Sequence, residues 1–539
     1  MKRRDFLTTT SIAAVGITTL LSSSCKNDKK NEHEKSANEI NDDFELNEIS
    51  VTELQEKMSK GIYSSEQITK MYLDRIKAID KNGPKLNSVI ELNPDAIEIA
   101  NAMDKERKEG KIRSALHGIP ILIKDNIDTA DKMMTTAGSL ALVGNFATKD
   151  AFIVKQLRDA GAVLLGKTNL SEWANFRSTK SCSGWSSRGG QTKNPYIIDH
   201  NPCGSSSGSG VAVAANLCAV AIGTETDGSI TCPAAVNGNV GLKPTVGLVS
   251  RSGIIPISFT QDTAGPITRS VTDAAILLNA IVAVDDNDVK TKESMGKAEK
   301  DYLKFLNANG LQGKRIGVDK KPYTNQFLQK LFLQNIDVLK KQGAEIIEIE
   351  YLESINKLGD AEYEAMQFEF KYGLNKYLSQ TKTKIKSIED VIKFNKENED
   401  KAMPTFKQEI LESSATKKDL DSKEYLQAFE KSFHGSKKII DEVMKTNNLD
   451  AIAGLTMGPA CSIDVIYGDR WGDVFLTAPA AMSGYPHITV PAGFVYDLPV
   501  GLSFFSAAYQ EPKLFSLAFS FEQATKHRTK PNFKKSFLA

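Results

Sequence analysis

The amino-acid sequence predicts a large α/β layered fold. Short apolar runs that are typical of buried strands alternate with amphipathic helical patterns along most of the chain. The chain has 539 residues, of which 41% are hydrophobic and 25% charged, an ordinary composition for a globular protein. No internal repeat is visible, so we expect one large unit.

The first 25 residues predict a secretory signal. Basic residues precede an apolar run over 12–21, which is too short to span a bilayer as a helix. The Arg3-Arg4 pair resembles a twin-arginine export signal. Cys25 follows small residues, which resembles a bacterial lipoprotein cleavage site. The alternative interpretation is that Cys25 is an ordinary residue just after the cleavage site of a soluble protein's signal. We therefore expect an exported protein of the periplasm or cell envelope, tethered to the membrane if Cys25 carries a lipid.

Residues 26–47 predict a disordered tether. This stretch consists mainly of Asn, Asp, Lys, Glu and Ser and has almost no apolar residue. It cannot bury enough surface to offset the entropy lost on ordering. The folded part is therefore expected to begin near residue 48.

Three helices are expected at the start of the folded part. The first has a capping box at Ser50-x-x-Glu53 and ends at Gly61. The second opens at Ser64 and carries its apolar residues on one face. The third covers residues 93–110.

Apolar runs that predict buried strands follow in the centre and near the end of the chain. Glycine and serine are dense between Gly184 and Gly265, which indicates backbone packed around a site. A Lys/Glu-rich helical segment from about 285 to 448 has two open interpretations, a lid or plain scaffold, and a final helix covers Lys513–Thr525. The predicted strands are Ile119–Ile123, Ala162–Leu165, Val211–Val220, Ile254–Ile257, Arg315–Val318, Ala451–Leu455, His487–Pro491 and Val500–Phe505.

Charge and cysteine content exclude several classes of function. The 68 basic and 67 acidic residues leave a net charge of +1, so we expect no nucleic-acid partner. The six cysteines form no C-x-x-C pair and the six histidines do not cluster with them, so we expect no metal site. A disulfide stays open if the protein is exported, and the oligomeric state is not indicated.

Lys124 is the first candidate catalytic residue. It ends the continuous apolar run of Gly118-Ile-Pro-Ile-Leu-Ile-Lys-Asp-Asn126, which is typical of a buried strand. Burial lowers the pKa of a lysine, and only a neutral lysine can accept a proton. Taken alone, the segment also fits a lysine whose amine reaches solvent at a strand end.

Two serine-rich loops supply further candidates. Residues 203–210 read Cys-Gly-Ser-Ser-Ser-Gly-Ser-Gly, and residues 223–230 read Gly-Thr-Glu-Thr-Asp-Gly-Ser-Ile. Glycines allow successive backbone N–H groups to converge, an arrangement that stabilises an oxyanion. A serine hydroxyl in such a loop needs a base before it can act as a nucleophile.

One alternative makes Ser206 the nucleophile of a serine esterase. Gly204-Ser-Ser206-Ser-Gly208 matches the G-x-S-x-G elbow of α/β-hydrolases, which requires a downstream acid and histidine. The available histidines are His434, His487 and His527, and nothing around them is typical of a catalytic loop.

Together the three segments resemble the amidase signature family. Its G-x-P-x-x-x-K-D-N segment matches residues 118–126, its G-G-S-S-G-G-S segment 203–209, and its G-T-D-x-G-G-S-I-R-x-P-A segment 223–234. Residues 238–245 match a further motif of the family. The resemblance as a whole covers residues 49–527, approximately. It implies the amidase signature fold, a large mixed twisted sheet flanked by helices on both faces, over residues 48–539.

The resemblance also implies the role of each residue. Lys124 would be the base, Ser205 a relay that follows a cis peptide bond, and Ser229 the nucleophile, with Ser206 as a supporting hydrogen-bond partner. The backbone N–H groups of residues 226–229 would form the oxyanion hole, and no cofactor is implied. Those four residues are Thr226, Asp227, Gly228 and Ser229.

The amino-acid sequences of the two serine-rich loops resemble those of the peptide amidase branch of the family. Asp227 stands where the family has glycine and Glu225 where it has aspartate, and the segment Ser171–Arg177 agrees with the same branch. We expect hydrolysis of C-terminal peptide amides to acid and ammonia. The alternatives are an amidase of small aryl or alkyl amides, a glutaminase component of transamidation, which an export signal disfavours, and a lipoprotein that binds amides without turnover.

Overall fold

The computed structural model describes residues 43–321, 323–472 and 474–538. The predicted signal, Cys25 and most of the predicted tether lie outside these residues. None of the described helices combines the length and hydropathy of a membrane span. The five described cysteines, at 182, 203, 218, 232 and 461, are all free thiols.

Eleven of the thirteen described strands form one sheet, and β4 and β5 form a separate hairpin. The strands are β1 Val89–Leu92, β2 Pro120–Lys124, β3 Val163–Thr168, β4 Trp185–Ser186, β5 Gly190–Gln191, β6 Val220–Glu225, β7 Val240–Lys243, β8 Thr263–Thr268, β9 Arg315–Asp319, β10 Glu345–Ile349, β11 Ala451–Leu455, β12 His487–Val495 and β13 Leu498–Phe505.

The large sheet is mixed, with the order β1-β3-β2-β6-β8-β7-β12-β13-β11-β9-β10. β2 runs parallel to both β3 and β6, and β9 runs parallel to β10 and β11, whereas the other pairs are antiparallel. The strands β2, β3, β6, β7 and β8 are buried throughout, as expected for a sheet whose two faces are covered. This mixed sheet with its helices confirms the predicted fold class.

Seventeen α-helices lie among the described residues. They are α1 Val51–Ser59, α2 Ser65–Arg75, α3 Ala96–Lys108, α4 Phe152–Asp159, α5 Ser207–Ala214, α6 Thr231–Val236, α7 Val271–Ile281, α8 Gln326–Lys341, α9 Leu352–Asn356, α10 Gly359–Gln380, α11 Ile388–Glu397, α12 Glu399–Ala402, α13 Glu409–Ala415, α14 Lys423–Phe429, α15 Gly435–Thr446, α16 Ala478–Ser483 and α17 Glu511–Thr525.

The amino-terminal helices form as predicted. The Ser50 side chain accepts from the Glu53 N–H and the Glu53 side chain accepts from the Ser50 N–H, so both halves of the capping box are present at α1. α2 begins after Ser64 and continues as a π-helix to Lys81. The final helix α17 also forms, beginning two residues before the predicted Lys513.

Two strand predictions in the glycine-rich region are wrong. The run Val211–Val220 divides between the end of α5 and the first residue of β6, because the eight residues of α5 are all buried and tertiary packing overrides their low helix propensity. The run Ile254–Ile257 makes only an isolated bridge from Ile254 to Ile127 and lies in a loop. In both runs the apolar residues are buried or partly buried, but their apolar character does not mark a strand of the sheet.

The segment 285–448 is more than a helical layer. Its strands β9 and β10 complete one edge of the large sheet, helix α8 connects them along the chain, and helices α9 to α15 follow. Its longest helix, α10, places Phe370, Leu374 and Leu378 against Ile255 and Ile257 in one apolar cluster. The segment therefore contributes both to the sheet and to the surroundings of the glycine-rich loops.

Candidate active site

The three predicted segments meet at one edge of the sheet. Lys124 is the last residue of β2 and Glu225 the last residue of β6, and these strands are parallel neighbours with Ile123 opposite Ile222. Because the carboxyl ends of parallel strands open at the same edge, the loops after them adjoin. A hydrogen bond of 3.1 Å from the Ser206 N–H to the Ser229 carbonyl joins the two serine-rich loops.

Lys124 is completely buried. Its Nζ lies 2.8 Å from Ser205 Oγ, 2.8 Å from Thr224 Oγ1 and 3.1 Å from the Thr224 carbonyl oxygen. Burial lowers the pKa of Lys124 to about 7, against the opposing effect of the carboxylates Asp262 and Glu225. A substantial fraction of the amine is therefore neutral near pH 7, and a neutral amine can accept the Ser205 proton.

Ser205 follows a cis peptide bond from Gly204, as the family resemblance implies. Its hydroxyl lies at the Lys124 amine, and its carbonyl oxygen accepts from the Ser171 N–H at 3.1 Å. Gly204 must lack a side chain because a Cβ would lie 2.2 Å from Ser171 Oγ. Ser171 thus holds the loop that presents the Ser205 hydroxyl to Lys124.

Ser206 lies in a different environment from the other two serines. Its hydroxyl donates to the Thr224 carbonyl at 3.0 Å and accepts from the Thr224 N–H at 3.1 Å, and the residue is fully buried. None of the histidines that the elbow alternative needs is bonded to it. His487 is hydrogen-bonded to Ser503, His434 faces Glu430, and His527 lies near Phe521.

Ser229 lies in the loop between β6 and α6. Its hydroxyl forms no hydrogen bond with the part of the chain that the structure describes, and the residue is 7% exposed. The backbone N–H groups of residues 226–229 likewise donate to no described residue. The loop thus holds one free hydroxyl beside four free donors, a set that can bind a tetrahedral oxyanion.

Glu225 fixes the shape of this loop. Its Oε2 accepts from the N–H groups of Ile230 and Thr231 at 2.7 and 2.8 Å, so the carboxylate caps the start of α6. Gly228 has a φ of +77°, and a Cβ there would lie 2.9 Å from Cys232 Sγ. With this cap and with Gly228 in the left-handed conformation, the N–H groups of residues 226–229 stay unpaired among the described residues.

Several residues around the site were missed by sequence reasoning. The Thr224 hydroxyl accepts from Lys124 and also from Asn126 Nδ2 at 3.0 Å. Thr477 Oγ1 donates to Asp227 Oδ1, and Glu362 on α10 is held by Gln261. Asn126 and Thr224 belong to the motifs that were recognised, but nothing in the local sequence at Glu362 or Thr477 indicates a site.

A cavity of about 1190 Å³ borders the site at Asn126, Thr224 and Thr226, although Lys124, Ser205 and Ser229 do not line it. Its inner wall includes Thr224 and Thr226, which flank the loop that carries Ser229, and Asp262, which accepts from Thr226 Oγ1 at 2.6 Å. Its outer wall includes Tyr372 and Tyr377 of α10. No group of three or more potential metal-ligand side chains occurs within the described ranges.

Known proteins match this chain over most of its length. The family model Amidase matches residues 67–515. The solved structure of native peptide amidase from Stenotrophomonas maltophilia is 48% identical, with a TM-score of 0.86 over 91% of this chain and 99% of that one. A probable amidase of Arabidopsis thaliana is 42% identical over 91% of this chain and 92% of its own length.

A more distant relative belongs to a transamidation enzyme. This glutamyl-tRNA(Gln) amidotransferase component of Thermoanaerobacter pseudethanolicus is 33% identical over 90% of this chain and 99% of its own length. The family model and these relatives extend across the sheet, both serine-rich loops and the helical segment. The chain therefore belongs to the amidase family, the amidase signature enzymes, and is an amide hydrolase.

Proposed function

We propose that this enzyme hydrolyses the C-terminal carboxamide of peptides to a free acid and ammonia, through an acyl-enzyme on Ser229. The observation that carries the chemistry is the 2.8 Å contact between the buried Lys124 amine and Ser205 Oγ, beside the loop of four unpaired N–H groups. The similarity to peptide amidase supports the choice of substrate.

The first half-reaction transfers the acyl group to Ser229. Neutral Lys124 takes the Ser205 proton while Ser205 takes the Ser229 proton, and Ser229 Oγ attacks the amide carbon. The N–H groups of residues 226–229 hold the oxyanion of the tetrahedral intermediate. Ser205 then returns a proton to the leaving nitrogen as the C–N bond breaks, and ammonia departs.

The second half-reaction regenerates the enzyme. A water molecule gives a proton through Ser205 to Lys124 and attacks the ester carbon, and the same N–H groups hold the second oxyanion. Ser229 leaves with a proton returned through the relay. No hydrogen bond joins the Ser205 and Ser229 hydroxyls among the described residues, so this mechanism requires the two hydroxyls to come within hydrogen-bond reach during the reaction.

Ammonia release from a panel of substrates tests this function. The panel contains N-acetylated dipeptide amides, free amino acid amides, benzamide-type aryl amides, short alkyl amides and glutamine. We expect the highest kcat/KM for the peptide amides. Equal or higher values for aryl or alkyl amides would replace the peptide substrate by small amides, and release only from glutamine would favour the glutaminase alternative.

Two substitutions test the catalytic roles. Ser229→Ala and Lys124→Met should each lower kcat/KM by at least about 10³-fold, because they remove the nucleophile and the base. Asp497→Asn, an exposed change in the turn between β12 and β13, serves as the control and should leave kcat/KM unchanged. Full activity in Ser229→Ala would overturn the proposed triad.

The amino-terminal sequence leads to a separate proposal on location. We propose that the chain is exported to the cell envelope and anchored there by a lipid on Cys25. Fractionation of cells that produce the full chain or its Cys25→Ser variant tests this. We expect amidase activity in the membrane fraction for the full chain and in the soluble periplasmic fraction for the variant. An unchanged distribution would reject the lipid anchor.

A further inference from the structure

Two residues of the serine-rich loops 203–210 and 223–230 are partly exposed, Gly204 and Asp227, and of these two Asp227 is the one with a side chain. From Ser205 to Ser250, all of them described, every residue is buried except Asp227, which is partly exposed. It lies two residues before Ser229, between the N–H groups of Thr226 and Gly228. Asp227 is therefore the partly exposed side chain that lies next in sequence to the N–H groups beside Ser229, although burial still affects its carboxyl group.

The Asp227 carboxyl group keeps one oxygen free. Its Oδ1 accepts from Thr477 Oγ1, and no described residue donates to Oδ2. The four backbone N–H groups of residues 226–229 are free as well. The loop thus offers a ligand both donors and an acceptor, within a few residues of the Ser229 hydroxyl.

Charged neighbours surround Asp227 but do not pair with it. Burial and Glu225 of β6 raise the pKa of Asp227 to about 7, against the opposing effects of Thr477 and of Lys243 on β7. Glu362 of α10 is also near enough for Asp227 to raise its pKa. None of these charged groups donates a hydrogen bond to Oδ2.

Gln261, a side-chain donor that contacts the start of this loop, is already engaged. Gln261 Nε2 donates to Glu362 Oε1 at 2.8 Å and to the Thr226 carbonyl at 3.4 Å. Its amide therefore fixes Glu362 and the start of the loop but leaves the Asp227 oxygen uncovered. The free Oδ2 is available to a donor that a ligand brings.

A primary carboxamide has the matching pattern of groups. Its carbonyl oxygen accepts hydrogen bonds and its NH₂ donates them, whereas the corresponding oxygen of an ester has only lone pairs. We propose that Asp227 accepts a hydrogen bond from the NH₂ of the scissile carboxamide and so selects primary amides over esters. This inference rests on the proposed function, since it assigns Asp227 a role at the same scissile bond.

The test compares one acyl group as its primary amide and its methyl ester. In Asp227→Asn the Oδ1 atom can still accept from Thr477, but the free oxygen becomes an NH₂ donor. We expect kcat/KM for N-acetyl-phenylalanine amide to fall about 10- to 100-fold, which is the loss of one hydrogen bond to a charged or polar acceptor. The value for the methyl ester should stay the same or rise.

Two further variants keep the test decisive. Asp227→Gly, which installs the residue that the family resemblance has at this position, should also lower the amide-to-ester ratio if Asp227→Asn does not fold. Asp497→Asn should leave the ratio unchanged. An equal loss for amide and ester would show that Asp227 only shapes the loop, and unchanged kcat/KM values for both would show that it does not contact the scissile nitrogen.

The outcome separates this inference from the proposed function. If the wild-type enzyme cleaves small amides but no peptide amide, the peptide substrate is wrong, and the ratio is measured on benzamide and methyl benzoate instead. If peptide amides are cleaved and the ratio does not move in either variant, the function stands and the role of Asp227 is wrong.

Discussion

At the scale of single residues, the site depends on burial more than on any one contact. Complete burial at the end of a strand lowers the pKa of Lys124, and Ser205 gains its position from the loop that Ser171 holds. The sequence predicted that Lys124, Ser205 and Ser229 belong to one site. It could not predict Glu362 or Thr477, because the fold brings them in from positions more than 100 residues away.

The buried lysine predicts how the rate depends on pH. Only neutral Lys124 can act as the base, and its pKa is lowered to about 7. Below pH 7 the neutral fraction falls tenfold per pH unit, so kcat/KM for a primary amide should rise up to about pH 7 with a slope of at least one, because Asp227 titrates in the same range, and then level. Initial rates from pH 5 to 9 measure this. A flat profile between pH 5 and 8 would exclude Lys124 as the titrating base.

The hydroxyl of Ser206 predicts a structural rather than a chemical effect. Ser206→Ala removes the buried hydroxyl that bonds the Thr224 N–H and carbonyl, which should lower the free energy of unfolding by about 1–3 kcal/mol. Activity should fall by no more than about tenfold, since the base and nucleophile remain. Urea unfolding and kcat/KM measure the two effects. Loss of all activity in Ser206→Ala, with Ser229→Ala active, would instead select the esterase.

At the scale of elements, the helical segment is fastened to the site by a buried arginine. Arg177 donates to the carbonyls of Ala402 and Phe406 at 2.6 and 2.8 Å, and its guanidinium lies over the Trp185 and Phe406 rings. It also lies 3.4 Å from the buried Glu172 carboxylate. Sequence periodicity identified the strands near the end of the chain. It did not identify the Arg177 contacts, because hydrogen bonds to residues more than 200 positions away leave no local sequence pattern.

Replacement of Arg177 should be costly. Arg177→Leu leaves Glu172 buried without its cation, and we expect a loss of about 3–5 kcal/mol in the free energy of unfolding. Arg113→Leu breaks a more exposed ion pair with Glu106 and should cost less than about 1 kcal/mol. Chemical denaturation of both variants gives the comparison. Similar small losses would mean that Arg177 does not hold the segment.

At the scale of the whole molecule, the sheet is built in two contiguous halves. Strands β1–β3 and β6–β8 form one side, β9–β13 form the other, and only β7 and β12 join them. The fold class was predictable because strand and helix patterns alternate, whereas the strand order was not, since register and partner choice depend on contacts distant in sequence. The catalytic candidates all lie in the first half, and the second half supplies Glu362 and Thr477.

Buried titratable groups across the molecule predict a minimum of stability near pH 7. Carboxyl groups whose folded pKa is raised make stability fall as pH rises from about 4 to 7, because the folded state binds more protons than the unfolded state. Lysines whose folded pKa is lowered make stability rise from about pH 7 toward 10, because the unfolded state then binds more protons. The carboxyls are Asp128, Asp227, Asp262, Asp273 and Glu522, raised to about 6, 7, 6, 6 and 7, and the lysines are Lys124 and Lys243, lowered to about 7 and 8.

Thermal unfolding at constant ionic strength from pH 5 to 9 measures this minimum. His117, His487 and His527, whose pKa values burial lowers, oppose the carboxyl effect below pH 6.5 but are three groups against five. We expect a lower midpoint at pH 7 than at pH 5 or pH 9. A maximum near pH 7 would contradict the burial of these charges.

The two-half sheet has a consequence for synthesis on the ribosome. β7 ends at Lys243, and the strand that covers its open edge, β12, begins at His487, about 240 residues later. At roughly 5–20 residues per second this interval lasts on the order of 10–50 s. During that time a nascent six-strand half presents an unpaired backbone edge on which another chain can add a strand. Chaperone demand during translation should therefore be concentrated between the emergence of β8 and that of β12.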